Sequence, residues 1–564
     1  MEPNGGTAVA DINRHGTGAV MSATVTTAPL SSIVALARAG ALDQAWRVFR
    51  NAGLESEDAD ALTLSVRGRL LKDQALRAKG DAARDLYLRS AEAYRGSARL
   101  QPANYPLINA ATLSLLACHE DLARQLAEEV LARIAASADE WETPYYRLAT
   151  PAEALLLLRR ASEARAAFAE AIALAPQAWE DHASTLRQFA LILAAQGEDA
   201  TWLDAHRPPR SLHFGGHMSF DPEVVRREHL DERIAAVLEE ENVGFGFGAL
   251  AAGADIIIAE ALLERGAELH AVLPGGAEAF AAVSVDPFGE TWRRRFDAVL
   301  ALAETVRPVR PLGAAPDAAM IGLADEVAMG AALMNGRRLE SSAVQLLVLD
   351  SAADAGNGAS GRSREIWAAG GWRQRVLTAP RETRQDASEP LAQTGEPLAV
   401  LAVGLGADAA FPEALAELHG RVAKLSPPAV APYLSEDRLI LAYPSPGEAA
   451  EAAVRLLASA SETLPLRIGG QYGPAAAFRD PFSNTLRLAP SATAAAAGAL
   501  ASAPPGTACV TDDFAAALAA AGPRRPASEY IGELDPPDGG PPVGLYALKS
   551  YDQLFQPLGS DDGQ

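Results

Sequence analysis

The residues best suited to chemistry stand in one glycine-rich stretch, Val243-Gly-Phe-Gly-Phe-Gly-Ala-Leu-Ala-Ala-Gly-Ala-Asp255, preceded by Gly215-Gly-His-Met218. A glycine-rich turn that opens a helix lets backbone N–H groups approach a phosphate, and the helix N-terminus adds partial positive charge. The spacing of Gly244, Gly246 and Gly248 is not GxGxxG, and no acidic residue ends the next strand at Leu273, so a classical dinucleotide site is disfavoured. No GxxxxGK[ST] occurs, which excludes a P-loop ATPase on motif grounds. The sharpest basic run, Trp292-Arg-Arg-Arg-Phe296, reads either as phosphate contacts or as one solvated helix face, the second being the commoner case. His213 and His217 lack a Cys or acidic neighbour at ligand spacing and read as polar loop histidines rather than metal ligands.

These residues need strands and helices to position them. The chain has 564 residues, enough for three or four domains, with 49% hydrophobic and 21% charged residues, an ordinary globular composition. Forty-nine basic against 72 acidic residues give a net charge of -23, the wrong sign for a nucleic-acid partner. The two cysteines, Cys118 and Cys509, make no disulfide framework. No apolar run spans a bilayer and Met1 to Leu30 do not read as a signal peptide, so the expectation is a cytoplasmic chain with no membrane contact. Residues 1–30 and 551–564 read as disordered tails.

Residues 31–205 are helical by periodicity, with a small–aromatic–small pattern at Ala45/Phe49/Ala52, Ser90/Tyr94/Ser97 and Ala164/Phe168/Ala171 and with Pro102 and Pro176 closing two of the copies. Residues 210–350 alternate strand and helix, as a parallel doubly wound sheet requires. Residues 351–396 read as a linker anchored by Trp367 and Trp372. Residues 397–550 read as an α+β sheet. The expected fold class is therefore multidomain: all-α tetratricopeptide-like repeats, an α/β Rossmann-like parallel sheet, then an α+β ferredoxin-like domain.

Each block resembles a known family. The helical block, through Tyr105-Pro-Leu-Ile-Asn-Ala-Ala-Thr-Leu-Ser-Leu-Leu116 and Thr185-Leu-Arg-Gln-Phe189, resembles the TRAF-binding region of MAP kinase kinase kinases and its bacterial relatives, which implies a protein partner. Gly246-x-Gly248, Gly253-Ala-Asp255 and Leu273-Pro274 resemble the SLOG superfamily, which implies that Gly216, Gly246, Gly248, Gly253 and Asp255, with Glu260 on the next helix, line a nucleotide pocket. The competing reading is a tight βα turn with Asp255 as a helix cap. Pro274-Gly-Gly-Ala-Glu278 departs from the PGGxGTxxE of the LOG-type hydrolases.

The last block resembles class III adenylate/guanylate cyclases through Leu466-Arg-Ile-Gly-Gly-Gln-Tyr-Gly-Pro474, Pro504-Pro-Gly506, Val510-Thr-Asp-Asp-Phe514, Glu529-Tyr-Ile-Gly532 and Gly544-Leu-Tyr-Ala-Leu-Lys549. The resemblance implies two metal aspartates plus an Asn and an Arg that steady transition-state charge. Laid on this chain, these fall at Gly404, Asp437, Ala494 and Gly498, so only Asp437 remains as a metal ligand. Asp408 could serve as a displaced ligand, and Arg487 lies eleven residues too early to replace the arginine. No catalytic residue is assigned, and Mg²⁺ or Mn²⁺ enters only if this block binds a nucleoside triphosphate. The expected function is a signalling scaffold that senses a nucleotide or partner protein and dimerises through a degenerate cyclase-like domain. The alternatives are a divergent purine nucleotide cyclase or SLOG-type nucleotide hydrolase, and an adaptor whose α/β domains bind no small molecule.

Overall fold

The computed structural model describes residues 27–549 except 39–40, 57–59, 137–142, 219–228, 310–315, 351–358, 381–395, 406–410, 461–464, 524–525, 535–541. Residues 1–26, residues 551–564 and Asp408 lie outside the described residues, whereas Thr27 to Leu30, expected within the disordered tail, begin a helix because Leu30 is buried against its neighbours.

The chain opens with helices α1 (Thr27–Arg38), α2 (Leu42–Asn51), α3 (Ala61–Ala75), α4 (Gly80–Leu100), α5 (Asn104–Leu116), α6 (Glu120–Ala136), α7 (Tyr146–Leu157), α8 (Ala161–Leu174) and α9 (Trp179–Gln196). The aromatic at the centre of each small–aromatic–small copy, Phe49, Tyr94 and Phe168, is buried, and Pro102 and Pro176 each follow a helix end by two residues. Small residues set the helix spacing: Gly68 of α3 lies against the ring of Tyr94, and the Ser90 hydroxyl of α4 donates to the Gly68 carbonyl at 2.6 Å. Ala52, the last member of the first copy, is exposed at a helix C-terminus.

Six parallel strands follow, β1 (Arg210–Gly216), β2 (Val243–Gly248), β3 (Glu268–Leu273), β4 (Thr305–Pro308), β5 (Ala343–Leu349) and β6 (Arg373–Thr378), in the order β4-β3-β2-β1-β5-β6. The order reverses between β1 and β5, the switch point where doubly wound sheets place ligands. Helices α10 (Leu230–Glu240), α11 (Ala254–Glu264), α12 (Ala277–Ser284) and α13 (Glu290–Leu302) are associated with one face, and α14 (Ala318–Arg338) and α15 (Ala359–Ala369) with the other. The stretch expected as a linker at 351–396 therefore contributes a helix and a paired strand to this sheet. Arg373-Gln-Arg-Val-Leu-Thr378 forms an edge strand, none of whose residues is fully buried. Its two arginines join Arg210 of β1 around the buried Glu241 at 2.6–2.8 Å. Burial works against that carboxylate, but the bonds from Arg373 and Arg375 outweigh it and lower its pKa.

The third unit contains β7 (Pro397–Leu405), α16 (Phe411–Val422), the hairpin β8 (Val430–Ser435) and β9 (Arg438–Tyr443), α17 (Pro446–Ala458) and β10 (Leu466–Pro474). A side hairpin follows, β11 (Ala477–Arg479) and β12 (Leu486–Leu488), then α18 (Ala494–Ser502), β13 (Ala508–Thr511), α19 (Asp512–Ala520), β14 (Ala527–Leu534) and β15 (Val543–Lys549). Its mixed sheet runs β14-β15-β13-β10-β7-β9-β8, with only the β10–β13 pair parallel.

The two α/β units share one hydrophobic core. Helix α14 buries Met320, Leu323 and Val327 together with Phe245 and Phe247 of the parallel sheet, Leu401 of the mixed sheet and Phe514 of α19. The approach is so close that a Cβ on Gly330 would lie 1.7 Å from the Ala516 carbonyl oxygen. Arg307 of β4 bridges to Asp512 at 2.8 Å and also pairs with Asp513, both in the first turn of α19. Among the described residues no helix is long and apolar enough to cross a membrane.

Candidate functional site

Around the switch point the structure places Gly216, Gly246 and Gly248 in close-packed positions. The Cα of Gly216 faces Ala254 and the Val348 carbonyl, where a Cβ would lie 2.5 Å from either. Gly246 faces Leu262 at 2.3 Å, and Gly248 faces the ring and carbonyl of Phe214 at 2.7 Å. The space that glycines would open for a ligand on this side is thus occupied by the chain's own Phe214, Leu262 and Ala254, which belong to the core beneath α11. Gly253 is different: its φ of +120° is a conformation that side chains rarely adopt, and it turns the chain into α11.

Asp255 lies in the first turn of α11, not at its N-cap. Its carboxyl is buried and accepts from the Ala251 N–H at 3.2 Å, holding the turn against the start of the helix. Burial pushes it up to about 8, with the nearby Asp325 charge adding to the effect. Glu260 sits five residues further along α11 and is held by Nε and Nη2 of Arg295 at 2.5–2.8 Å. In the basic run, Trp292 and Phe296 point into the core, Arg295 stacks on the Trp292 ring, and Arg293 bonds Glu278, Asp286 and Asp297. These guanidinium groups are already matched with carboxylates.

A second cluster lies on the opposite face of β1. His213 is fully enclosed; Gln345 donates to its Nδ1 at 3.0 Å, so its Nε2–H donates to Asp325 at 2.9 Å. Gln374 donates to Gln345 at 2.6 Å, and the Trp367 ring stacks on the imidazole. His217 bonds the Ala379 carbonyl at 2.8 Å, tying the ends of β1 and β6. Sequence reasoning marked the two histidines and Trp367 but not Asp325 or Gln345; the legible signal was a lone Gln inside the apolar run Ala343-Val-Gln-Leu-Leu-Val-Leu349. Among the described residues no group of three or more His, Cys, Asp or Glu is arranged to hold a metal ion.

In the mixed sheet, Gly404 near the end of β7 pairs with Arg438 of β9 on one side and Arg467 of β10 on the other. Residues paired directly across neighbouring strands share a face, so the two cations flank Gly404. Asp437 projects from the hairpin turn with 81% of its side chain exposed, 3.6 Å from the Arg438 guanidinium. Ala494 and Gly498 lie on α18, which presses so closely on the sheet that a Cβ on Gly469 would lie 2.0 Å from the Ala496 carbonyl. Gln471 fixes the start of that helix, accepting from the Ala496 N–H at 3.0 Å and donating to the Ala492 carbonyl at 2.6 Å. Arg487 lies over the Tyr433 ring and pairs with Asp480 at 2.9 Å.

Residues 30–114 match the Tetratricopeptide Repeats-Sensor family. Solved structures are similar to part of the chain. The adenylate cyclases of Trypanosoma brucei in their monomeric state are 15% identical over 27% of this chain and 87% of theirs, with a TM-score of 0.24. The guanylate cyclase domain of RhGC from Catenaria anguillulae in complex with GTP is 12% identical over 28% of this chain and 99% of its own, TM-score 0.24. The adenylyl cyclase CyaB from P. aeruginosa is 12% identical over 27% and 93%, TM-score 0.22. No curated protein matches the chain.

Proposed function

We propose that this protein is a non-catalytic signalling scaffold. Its helical region senses or recruits, and its cyclase-like unit transmits through association rather than turnover, with homodimerisation as the expected mode. The observation that carries this reading is the register at Gly404. Where the resemblance calls for a metal carboxylate, the chain has glycine, which offers no ligand atom, in register between the basic residues Arg438 and Arg467. The residues present do not fit a two-metal site, because Asp437 is exposed and paired with Arg438. Ala494 and Gly498 supply no donor for transition-state charge, and losing one such donor typically costs about 10²–10³ in rate. The full-length protein incubated with ATP or GTP and Mn²⁺ is expected to form no cyclic nucleotide above the buffer blank. Turnover that disappears in Asp437→Ala would refute the reading.

A second reading, that the parallel-sheet unit takes a nucleotide at its carboxyl edge, is favoured by one observation. Asp255 is a buried carboxyl with a strongly raised pKa near the switch point, a combination frequent at functional sites. Calorimetric titration with ATP, GTP, cyclic nucleotides and ADP-ribose tests it, with binding expected to vanish in Gly253→Arg.

A further inference from the structure

A cavity of about 680 Å³ lies among the helices, between α3, the α4–α5 connection, α7 and α9. Its walls contradict the usual logic of a helical stack, in which inward faces are apolar. On α7, Tyr146, Thr150 and Glu153 recur at one face, and on α9, Ser184 and Gln188 do the same. A polar stripe turned toward a cavity costs stability unless something completes its hydrogen bonds.

The charges define what that something is. Lys72 of α3 and Glu153 of α7 line the same cavity and sense each other's charge, yet no salt bridge joins them. Glu153 is held from behind: the Thr112 hydroxyl at 2.7 Å and the Gln188 amide at 3.1 Å both donate to its Oε1, and no described residue bonds Oε2. Burial lowers the pKa of the Lys72 ammonium, partly offset by the Glu153 and Asp73 carboxylates, and raises that of the Glu153 carboxyl, so both charged forms are disfavoured unless a partner enters the cavity. Asn104, on the rim at the start of α5, has a buried carbonyl oxygen with no hydrogen-bond partner. Tyr105, Ile108 and Tyr146 supply an apolar flank.

A purely anionic ligand would suit Lys72 but confront Glu153, and a purely cationic one would do the reverse. We propose that this cavity binds a small zwitterion, an amino acid or short peptide, with its carboxylate on Lys72, its ammonium on Glu153 and its side chain against the tyrosines. The volume falls in the range of small-molecule sites. The proposal does not depend on whether the cyclase-like unit is catalytic.

The test is calorimetric titration of the full-length protein with the twenty amino acids and with Ala-Ala, Ala-Phe and Gly-Glu. The proposal expects a saturable isotherm for at least one probe, weakened about tenfold or more in Lys72→Met and in Glu153→Gln, as loss of a charge-assisted contact requires. It also expects loss of binding when that probe is N-acetylated or converted to its methyl ester, comparisons that need no variant to fold. Single amino acids or peptides as the tighter class would say which source of the zwitterion is used. The proposal is overturned if no probe binds, if the N-acetyl or ester derivative binds as well as the parent, or if a mononucleotide competes for the same cavity.

Discussion

The glycine-rich turn of the parallel sheet and the cavity of the helical region make opposite impressions in sequence and in structure. The turn carries the most conspicuous pattern in the chain, and its glycines are filled from within by Phe214, Leu262 and Ala254. The cavity carries no motif, and its polar lining is gathered from α3, α5, α7 and α9. Glycine in a strand is as often a device for close packing as for ligand approach, and only the side chain opposite it decides which. A polar residue on an inward helix face, by contrast, needs a partner, and here part of that partner is missing from the chain itself.

The contrast can be broken most severely at Gly330, where α14 meets α19. Gly330→Leu drives a side chain into backbone that cannot yield, and it should destabilise the shared core by about 3 kcal/mol or more, read by guanidinium denaturation. Gly248→Val and Gly246→Val should each cost about 1–3 kcal/mol while leaving binding in the helical cavity unchanged. If either glycine variant keeps full stability, the space beside it is open, and the difference between the two regions fails.

Asp255 sharpens the comparison through pH. Its folded pKa, pushed up to about 8, lies above the ordinary carboxylate value, so the folded state holds a proton that the unfolded chain has lost. Its contribution is therefore present at about pH 4 and is lost as pH rises toward 8. Asp255→Asn should match wild type in melting temperature at pH 4 and exceed it by a few degrees at pH 9. A melting-temperature difference that is the same at both pH values would show that the carboxyl is not buried as described. The smallest expected effect is at Asp437, where Ala should change stability by less than about 0.5 kcal/mol, because the side chain is exposed.

Much of the fold was legible because periodicity and punctuation agree with it. The aromatics at 49, 94 and 168 announced the helical packing, and the strand–helix alternation after Arg210 announced the parallel sheet. The sixth strand was hidden by its own chemistry, since an edge strand rich in Arg and Gln looks like a solvated linker. The cavity was illegible for another reason. Its residues are scattered from Lys72 to Gln188, and each alone reads as an exposed helix position. A trace was present in Ala149-Thr-Pro-Ala-Glu-Ala-Leu-Leu-Leu157, where one Glu interrupts a run that is otherwise buried at every turn. The fused core of the two α/β units left no local signal either, because Gly330 in a helix is ordinary until Ala516 is known to press against it.

The most direct test is one titration performed in parallel on wild type, Lys72→Met and Asp255→Asn, using the amino acid or dipeptide that gives the strongest heat. The account predicts equal binding by wild type and Asp255→Asn and a loss of about tenfold or more in Lys72→Met. Binding that survives in Lys72→Met and disappears in Asp255→Asn would place recognition in the parallel sheet and contradict it.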